Sequence, residues 1–139
     1  MFIFYDFIFL IFAVCYLPYV IVKQKWHGDF ATRFGFFPKT LKARLSARPN
    51  IWVHAVSVGE VVAVQGLVKR LGQEYPQHQL VISTVTVTGN QLARKEFPDS
   101  IILYAPLDFS ASVRSYCRAI RPVIYVAAET EIWPNIFYE

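Results

Sequence analysis

The stretch NIWVHAVSVGE, residues 50–60, decides the fold of this 139-residue chain. Its apolar run at 51–56 is short and rich in β-branched and aromatic residues, which is typical of a buried strand. Over 60–71 the apolar residues recur at helical spacing and predict a helix with one apolar face, which Gly72 and Pro76 are expected to end. The stretch therefore predicts a strand, a turn and the start of a helix.

The same alternation of strand and helix patterns continues beyond this unit. Further strands are predicted at 79–84, 101–104 and 122–128, and helices at 90–97 and 109–120, with a loop and another helix from 129. Strands that alternate with helices through short connections predict a parallel sheet, with helices on both faces and right-handed crossovers. The fold class expected for residues 50–139 is therefore α/β with a Rossmann-like parallel sheet.

The first 22 residues are much more apolar than the rest, and Asp6 is the only charged residue before Lys23. As a helix they would extend about 33 Å, enough to cross a hydrocarbon core of about 30 Å. No basic residue precedes the apolar stretch, which disfavours a cleaved signal peptide. We predict a transmembrane or membrane-anchoring helix over 1–22 with Asp6 near its outer end. A helix lying in the bilayer interface is the alternative.

A basic juxtamembrane connector is predicted at 23–49. Seven Lys or Arg residues lie between Lys23 and Arg48, against Asp29 as the single acid. The positive-inside rule then places the globular domain in the cytoplasm, and anionic membrane lipids would attract the connector. Packing of the connector against the globular domain is the alternative. Nucleic acid is not expected as a partner despite the net charge of +4, because no stacking-aromatic motif or basic recognition helix is present.

The sequence predicts neither a metal site nor a cofactor. Three histidines lie singly at 27, 54 and 78, and the two cysteines at 15 and 117 form no ligand cluster or disulfide framework. No G-x-G-x-x-G motif follows the first strand, so the usual dinucleotide fingerprint is absent.

Polar and acidic residues follow each predicted strand. They are Ser57, Gly59 and Glu60 after the first strand, Thr84, Thr86, Thr88 and Gly89 after the second, Asp108 after the third, and Glu129 and Glu131 after the fourth. Because ligands of an open parallel sheet bind beyond the carboxyl ends of its strands, we expect these residues to form a site at one edge.

Some of these residues have a purely structural interpretation as well. Ser57-x-x-Glu60 is a capping box, in which the serine accepts from the third helical amide and the glutamate from the N-cap amide. The same position also suits a general base, because it lies where ligands bind. Thr88 and Asp108 are predicted first as helix N-caps. The Thr-rich loop with Gly89 could otherwise present backbone amides to an anion.

Four motifs, in order, resemble those of the Kdo transferases, which move 3-deoxy-D-manno-octulosonic acid (Kdo) from CMP-Kdo to a lipid A precursor. They are WVHAVSVGE at 52–60, TVTVTG at 84–89, YAPLD at 104–108 and ETEIWPN at 129–135, preceded by RFG at 33–35. The resemblance implies a GT-B glycosyltransferase with two Rossmann-like domains and a cleft between them. This chain would supply the N-terminal, acceptor-side domain, and CMP-Kdo would bind through a C-terminal domain that the chain lacks.

The resemblance also implies roles for the site residues. Glu60 matches the family's general base, and Glu129 matches a carboxylate that supports the transition state. The remaining edge residues, Ser57, Gly59, Thr86, Thr88, Gly89, Asp108 and Glu131, are expected to bind substrate. The reaction would be an inverting transfer in lipopolysaccharide synthesis at the cytoplasmic side of the inner membrane, without a metal or cofactor. The chain alone is expected to be inactive.

Two other functions fit the same sequence features. One is a membrane-anchored nucleotide-sugar-binding domain of another glycosyltransferase. The other is a non-catalytic membrane adaptor, which would need the anchor but not the carboxylates.

Overall fold

The structure, a computed structural model, describes Asp6, Phe7, Ile11 and residues 30–129 and 133–138 of the chain. The strands are β1 Asn50–His54, β2 Gln79–Thr84, β3 Ile101–Tyr104 and β4 Pro122–Ala127. The helices are a 3-10 helix Phe30–Phe34, α1 Lys39–Ser46, α2 Val58–Ala63, α3 Gln65–Glu74, α4 Val87–Glu96, α5 Ser110–Ile120 and α6 Pro134–Tyr138. The predicted α/β alternation is confirmed.

The four strands form one parallel sheet in the order β3-β2-β1-β4. The chain runs outward from β1 through β2 to β3 and then returns to the other side of β1 as β4. This reversal of direction makes the carboxyl ends of β1 and β4 the topological switch point, the place where open α/β sheets bind ligands. The sheet therefore matches the Rossmann-like arrangement predicted from the sequence.

Each face of β1 packs on its own hydrophobic core. Ile51 and Val53 lie in a cluster with Val61 of α2, Val68 of α3 and Ala93 of α4. Trp52 lies in a second cluster whose other buried members are Phe37, Leu45, Val81, Ile101, Leu103, Tyr116 and Ile120, from the connector, β2, β3, α1 and α5. Because both faces are covered, every residue of β1 is buried, as is usual in parallel sheets.

Asn50 ties two helices to the start of β1. Its Nδ2 donates to the backbone oxygen of Leu45 at 2.8 Å and to that of Ile120 at 2.5 Å. Both carbonyls lie at helix C-termini, where no intrahelical donor is left for them. The buried side-chain amide of Asn50 therefore supplies a hydrogen-bond donor to a carbonyl group at the end of α1 and to one at the end of α5.

Strand β4 is an outer strand with a partly apolar exposed surface. Val123 is 56% exposed and Ile124 48% exposed. Pairing with β1 shifts register at the start of β4, where Asn50 faces Pro122 and Ile51 faces Ile124, so that Val123 is left out of the ladder.

The predicted helix over 60–71 is wrong in its extent. The segment forms two helices, Val58–Ala63 and Gln65–Glu74, joined at Val64. Gly72 does not end the second helix but lies inside it, and Tyr75 closes it by donating its N–H to the Leu71 carbonyl. A glycine within a helix costs about 1 kcal/mol relative to alanine, which tertiary packing readily offsets.

The predicted anchor at 1–22 lies almost wholly outside the described residues. Among the residues that are described, no helix is long and apolar enough to cross a membrane. Asp6 is described, and its Oδ1 accepts from the N–H of Ser110 at 3.2 Å and from Nδ2 of Asn135 at 3.3 Å. Asp6 thus contacts the globular domain, which disagrees with a span that would place it at the far side of a membrane.

The described part of the connector packs against the sheet. Phe37 and Leu45 are buried, and the Phe37 ring lies 4.8 Å from that of Tyr116, edge to face. Gly35 has a φ of 87°, and a Cβ there would lie 2.4 Å from Cβ of Ser115. The RFG stretch therefore serves close packing on α5.

The bridge made by Asn50 generates a stability prediction. Asn50→Ala leaves two buried helix-end carbonyls without a donor, and we expect it to lower the free energy of unfolding by about 2–4 kcal/mol. Urea denaturation measures this change. Gln91→Ala, on the exposed side of α4, is the control and should change stability by less than about 0.5 kcal/mol. An Asn50→Ala variant as stable as the control would contradict the bridge.

Candidate active site at the carboxyl edge of the sheet

Glu60 lies in the first turn of α2, just beyond the carboxyl end of β1. Its side chain is held at both oxygens. Oε2 accepts from the N–H of Val56 at 2.7 Å, and Oε1 accepts from the hydroxyl of Ser57 at 2.9 Å. The residue is only 7% exposed, so the carboxylate has one defined orientation at the site.

The hydrogen bonds of Glu60 differ from those of the predicted capping box. Ser57 is the N-cap of α2, but its side chain accepts no hydrogen bond from the helix. Its hydroxyl instead donates to Glu60, and Glu60 accepts from the amide of Val56, one residue before the N-cap. The carboxylate therefore closes the loop between β1 and α2. An ionised carboxylate has about four lone-pair sites, so two donors leave room for a third.

The Thr-rich loop places its residues differently from the prediction. Thr86, not Thr88, is the N-cap of α4, because Oγ1 of Thr86 accepts from the N–H of Gly89 at 3.1 Å. That amide donates within the chain and is not free for the anion that the sequence suggested. Thr88 is exposed in the first turn of α4, and its contact with a substrate stays a prediction.

Asp108 is not the helix cap that the sequence predicts. The N-cap of α5 is Phe109, and Asp108, 1% exposed, faces α6. Its Oδ1 accepts from the N–H of Asn135 at 3.2 Å, and its carbonyl accepts from Nδ2 of Asn135 at 2.8 Å. The hydroxyl of Ser110 donates to Oδ1 of Asn135 at 3.1 Å. Asp108 therefore joins the loop after β3 to α6, the helix that begins at the last two residues of the ETEIWPN motif.

Glu129 lies two residues after the last residue of β4 and is exposed. The N–H of Ala128 donates to the carbonyl of His54 at 2.9 Å, which keeps the two chain segments adjacent up to the residue before Glu129. Glu60 and Glu129 thus follow two neighbouring strands, β1 and β4, whose carboxyl ends form the switch point. Glu131 lies outside the described residues.

His54 forms a buried polar contact beneath this edge. Its Nδ1 lies 2.8 Å from Oγ of Ser83, and Nε1 of Trp52 donates to the same oxygen at 2.8 Å. The ring is 2% exposed, and within the described part of the chain its Nε2 has no hydrogen-bond partner. Burial lowers the pKa of His54, an effect that the nearby Glu60 carboxylate partly opposes.

Two residues with a role near the site were not identified from the sequence. Ser83 lies within β2, and the sequence around it indicates only a strand, not a hydrogen-bonding role for its hydroxyl. Arg33 belongs to the RFG stretch, and its Nε donates to the Ala105 carbonyl at 3.1 Å while its own carbonyl accepts from Leu107 at 3.0 Å.

The buried imidazole of His54 generates a pH prediction. Its pKa is lowered in the folded chain, so the unfolded chain binds the extra proton below about pH 6.5, and the free energy of unfolding should fall as the pH drops through that value. We expect this group to lower the free energy of unfolding progressively between about pH 7.5 and 5.5. Denaturation of wild type and His54→Asn across this range measures it. An unchanged pH slope in the variant would contradict the assignment.

Comparison with known proteins shows what the chain is similar to. Residues 28–139 match the family model described as 3-deoxy-D-manno-octulosonic-acid transferase (kdotransferase). A 3-deoxy-D-manno-octulosonic acid transferase of Haemophilus influenzae is 33% identical over 128 residues, which cover 91% of this chain and 29% of that protein. A protein of the same name from Chlamydophila psittaci is 33% identical over 138 residues, which cover 94% of this chain and 31% of that protein.

A more distant type of protein is also similar. A bifunctional glycosyltransferase/methyltransferase of Fusobacterium nucleatum is 34% identical over 92 residues, 64% of this chain and 14% of that protein. The chain spans less than a third of the length of the first two relatives. The family match extends from the connector through all four strands and confirms the family predicted from the four motifs. The chain therefore belongs to the 3-deoxy-D-manno-octulosonic-acid transferase family, the Kdo transferases.

Proposed function

We propose that this chain is the acceptor-side part of an inverting glycosyltransferase that moves Kdo from CMP-Kdo to a lipid A precursor. One observation carries the proposal: the buried carboxylate of Glu60 is held by two hydrogen bonds at the switch point of the sheet. Membership of the Kdo transferase family supports the donor sugar. The acceptor and the stereochemistry follow from the family resemblance.

Glu60 acts as the general base in this mechanism. A hydroxyl of the acceptor gives its proton to the carboxylate while its oxygen attacks the anomeric carbon of Kdo. The bond to the CMP phosphate breaks on the opposite side, and CMP leaves with the electron pair. A base must lie about 2.6–3.2 Å from the hydroxyl it deprotonates. The donors from Val56 and Ser57 hold the carboxylate ready, so little ordering is left for the moment of reaction.

The surface beside Glu60 supports access by an acceptor. Gly59 is exposed, and a Cβ at this position would have only Oγ of Ser57 near it, at 4.0 Å. An incoming sugar headgroup could therefore approach the carboxylate over Gly59. Ser57 and Gly59 are assigned to acceptor binding on this ground.

Glu129 and the remaining edge residues have secondary roles in the proposal. Glu129 follows β4, the strand next to β1, and is assigned to transition-state support. The substrate side of the cleft is assigned to Thr88, Asp108 and Glu131. Asp108 contributes indirectly, because it accepts two hydrogen bonds from Asn135. CMP-Kdo binds to a second domain outside this chain, so the chain alone is expected not to transfer Kdo. Neither a metal nor a cofactor takes part.

A lipid acceptor places the reaction at the cytoplasmic side of the inner membrane. With Asp6 directed to the globular domain, the N-terminal stretch is proposed to lie in the bilayer interface. Phe7 and Ile11, 60% and 51% exposed, are four residues apart and would share one face of a helix. That face would enter the lipid and bring the carboxyl edge of the sheet near the acceptor headgroup.

The base assignment is tested in the full-length enzyme by Glu60→Gln. Glutamine keeps the shape. Its amide oxygen can accept from the N–H of Val56 while its amide nitrogen donates to the Ser57 hydroxyl, but the amide cannot take up the proton. We expect kcat to fall by about 10²–10⁴-fold with the fold intact. Transfer from CMP-Kdo to a lipid A precursor and thermal unfolding are measured together.

Glu74→Gln is the matched control, because Glu74 is an exposed carboxylate paired with Arg70 on α3. It should retain full turnover, since exposed ion pairs contribute little. Near-normal turnover of Glu60→Gln would contradict the assignment of Glu60 as the general base. The residue would then only close the loop between β1 and α2.

A further inference from the structure

We propose that Thr86 and Gly89 are positioning residues that hold the carboxylate of Glu60 through the backbone of Val56 and Ser57. Neither residue contacts the proposed acceptor in this arrangement. The inference rests on the proposed function, because it concerns the orientation of the general base.

The backbone of Val56 connects Glu60 to the Thr-rich loop. Its N–H donates to Oε2 of Glu60 at 2.7 Å. Its carbonyl accepts from the N–H of Val85 at 3.0 Å and from the N–H of Thr86 at 3.1 Å. With both of its polar groups bonded, Val56 cannot turn its N–H away from Glu60 without breaking contacts to the loop after β2.

The hydroxyl of Thr86 links this backbone to α4. It donates to the Val56 carbonyl at 3.4 Å and accepts from the N–H of Gly89 at 3.1 Å. At 3.4 Å the first contact is longer than a strong O–H···O bond, so the second carries more of the energy. An N-cap of this kind contributes about 1 kcal/mol. Its effect is to keep the first turn of α4 against the loop that carries Val56.

Gly89 allows α4 to approach the second donor of Glu60. A Cβ on Gly89 would lie 3.2 Å from the carbonyl carbon of Ser57, 3.4 Å from its Cα and 2.8 Å from Oγ1 of Thr86. Any larger residue would force α4 and the backbone of Ser57 apart by a few tenths of an ångström. The hydroxyl of Ser57 is the donor to Oε1 of Glu60, so this displacement would reach the carboxylate directly.

Both donors of Glu60 are therefore supported by the segment that follows β2, the neighbouring strand. The Val56 amide is held by Val85 and Thr86, and the Ser57 backbone lies on Gly89. A movement of 1 Å away from a productive geometry can cost about 100-fold in rate. Thr86 and Gly89 thus have a role other than anion binding, which the occupied amide of Gly89 also disfavours.

The test compares Thr86→Val with Thr86→Ser in the full-length enzyme. Valine keeps the shape but removes the cap, so we expect kcat to fall at least about 10-fold while KM for the lipid acceptor changes less than about 2-fold. Serine restores the hydroxyl and should bring kcat to within about 3-fold of wild type. Thr40→Val, on the exposed side of α1, is the matched control with unchanged kinetics.

A second pair of variants tests Gly89 independently. Gly89→Ala is expected to lower kcat at least about 10-fold, whereas Gly66→Ala in α3, where a Cβ would meet nothing within 4 Å, should leave kcat unchanged. Thermal unfolding is recorded for each variant. If Gly89→Ala does not fold, the comparison of Thr86→Val with Thr86→Ser alone tests the positioning role.

The outcomes separate this inference from the proposed function. Wild-type kcat in Thr86→Val, equal damage from valine and serine, or a loss confined to KM would each overturn the positioning role. Glu60→Gln is assayed alongside. If Glu60→Gln is inactive and Thr86→Val is normal, only the positioning inference fails. If Glu60→Gln retains turnover, the base assignment fails whatever the threonine variants do.

Discussion

Strand β1 is enclosed on all four sides, by β2 and β4 along its edges and by a helical layer on each face. Three of its five buried residues nevertheless carry polar side-chain atoms. A buried polar atom without a partner costs about 1–3 kcal/mol, so these residues constrain their surroundings. Asn50 closes the ends of α1 and α5, and Trp52 and His54 share the hydroxyl of Ser83. Directional bonds, as well as packing, therefore determine how the layers meet around β1.

The sheet and its functional edge follow from patterns that are visible in the sequence. Strands at 79–84 and 101–104 have the predicted bounds, because each is an apolar run with turn residues on both sides. The placement of Glu60 and Glu129 after strands that end at the same edge also follows from the predicted parallel sheet, since parallel strands bring their carboxyl ends to one edge. Neither inference required knowledge of any side-chain contact.

The partners of the edge residues were beyond prediction, because distant segments select among donors that are close in sequence. Glu60 accepts from Val56 and not from the N-cap amide, and the loop after β2 holds Val56 in place. The choice of Thr86 over Thr88 as a cap depends on the same loop contact. Asp108 precedes a helix and suggests a cap, yet its partner is Asn135, 27 positions later. Local patterns specify a set of candidates, and tertiary contacts choose one.

The outer strand β4 has a consequence for handling the protein in solution. Among the described residues no strand pairs with its outer edge, so another chain could extend the sheet there by backbone pairing, which the exposed Val123 and Ile124 would favour. The proline at its first position and the register shift at Val123 blunt only the first half of that edge. The second half, at 125–127, carries no charge to keep copies apart. Preparations of this chain should therefore self-associate as concentration rises, through strand addition at β4.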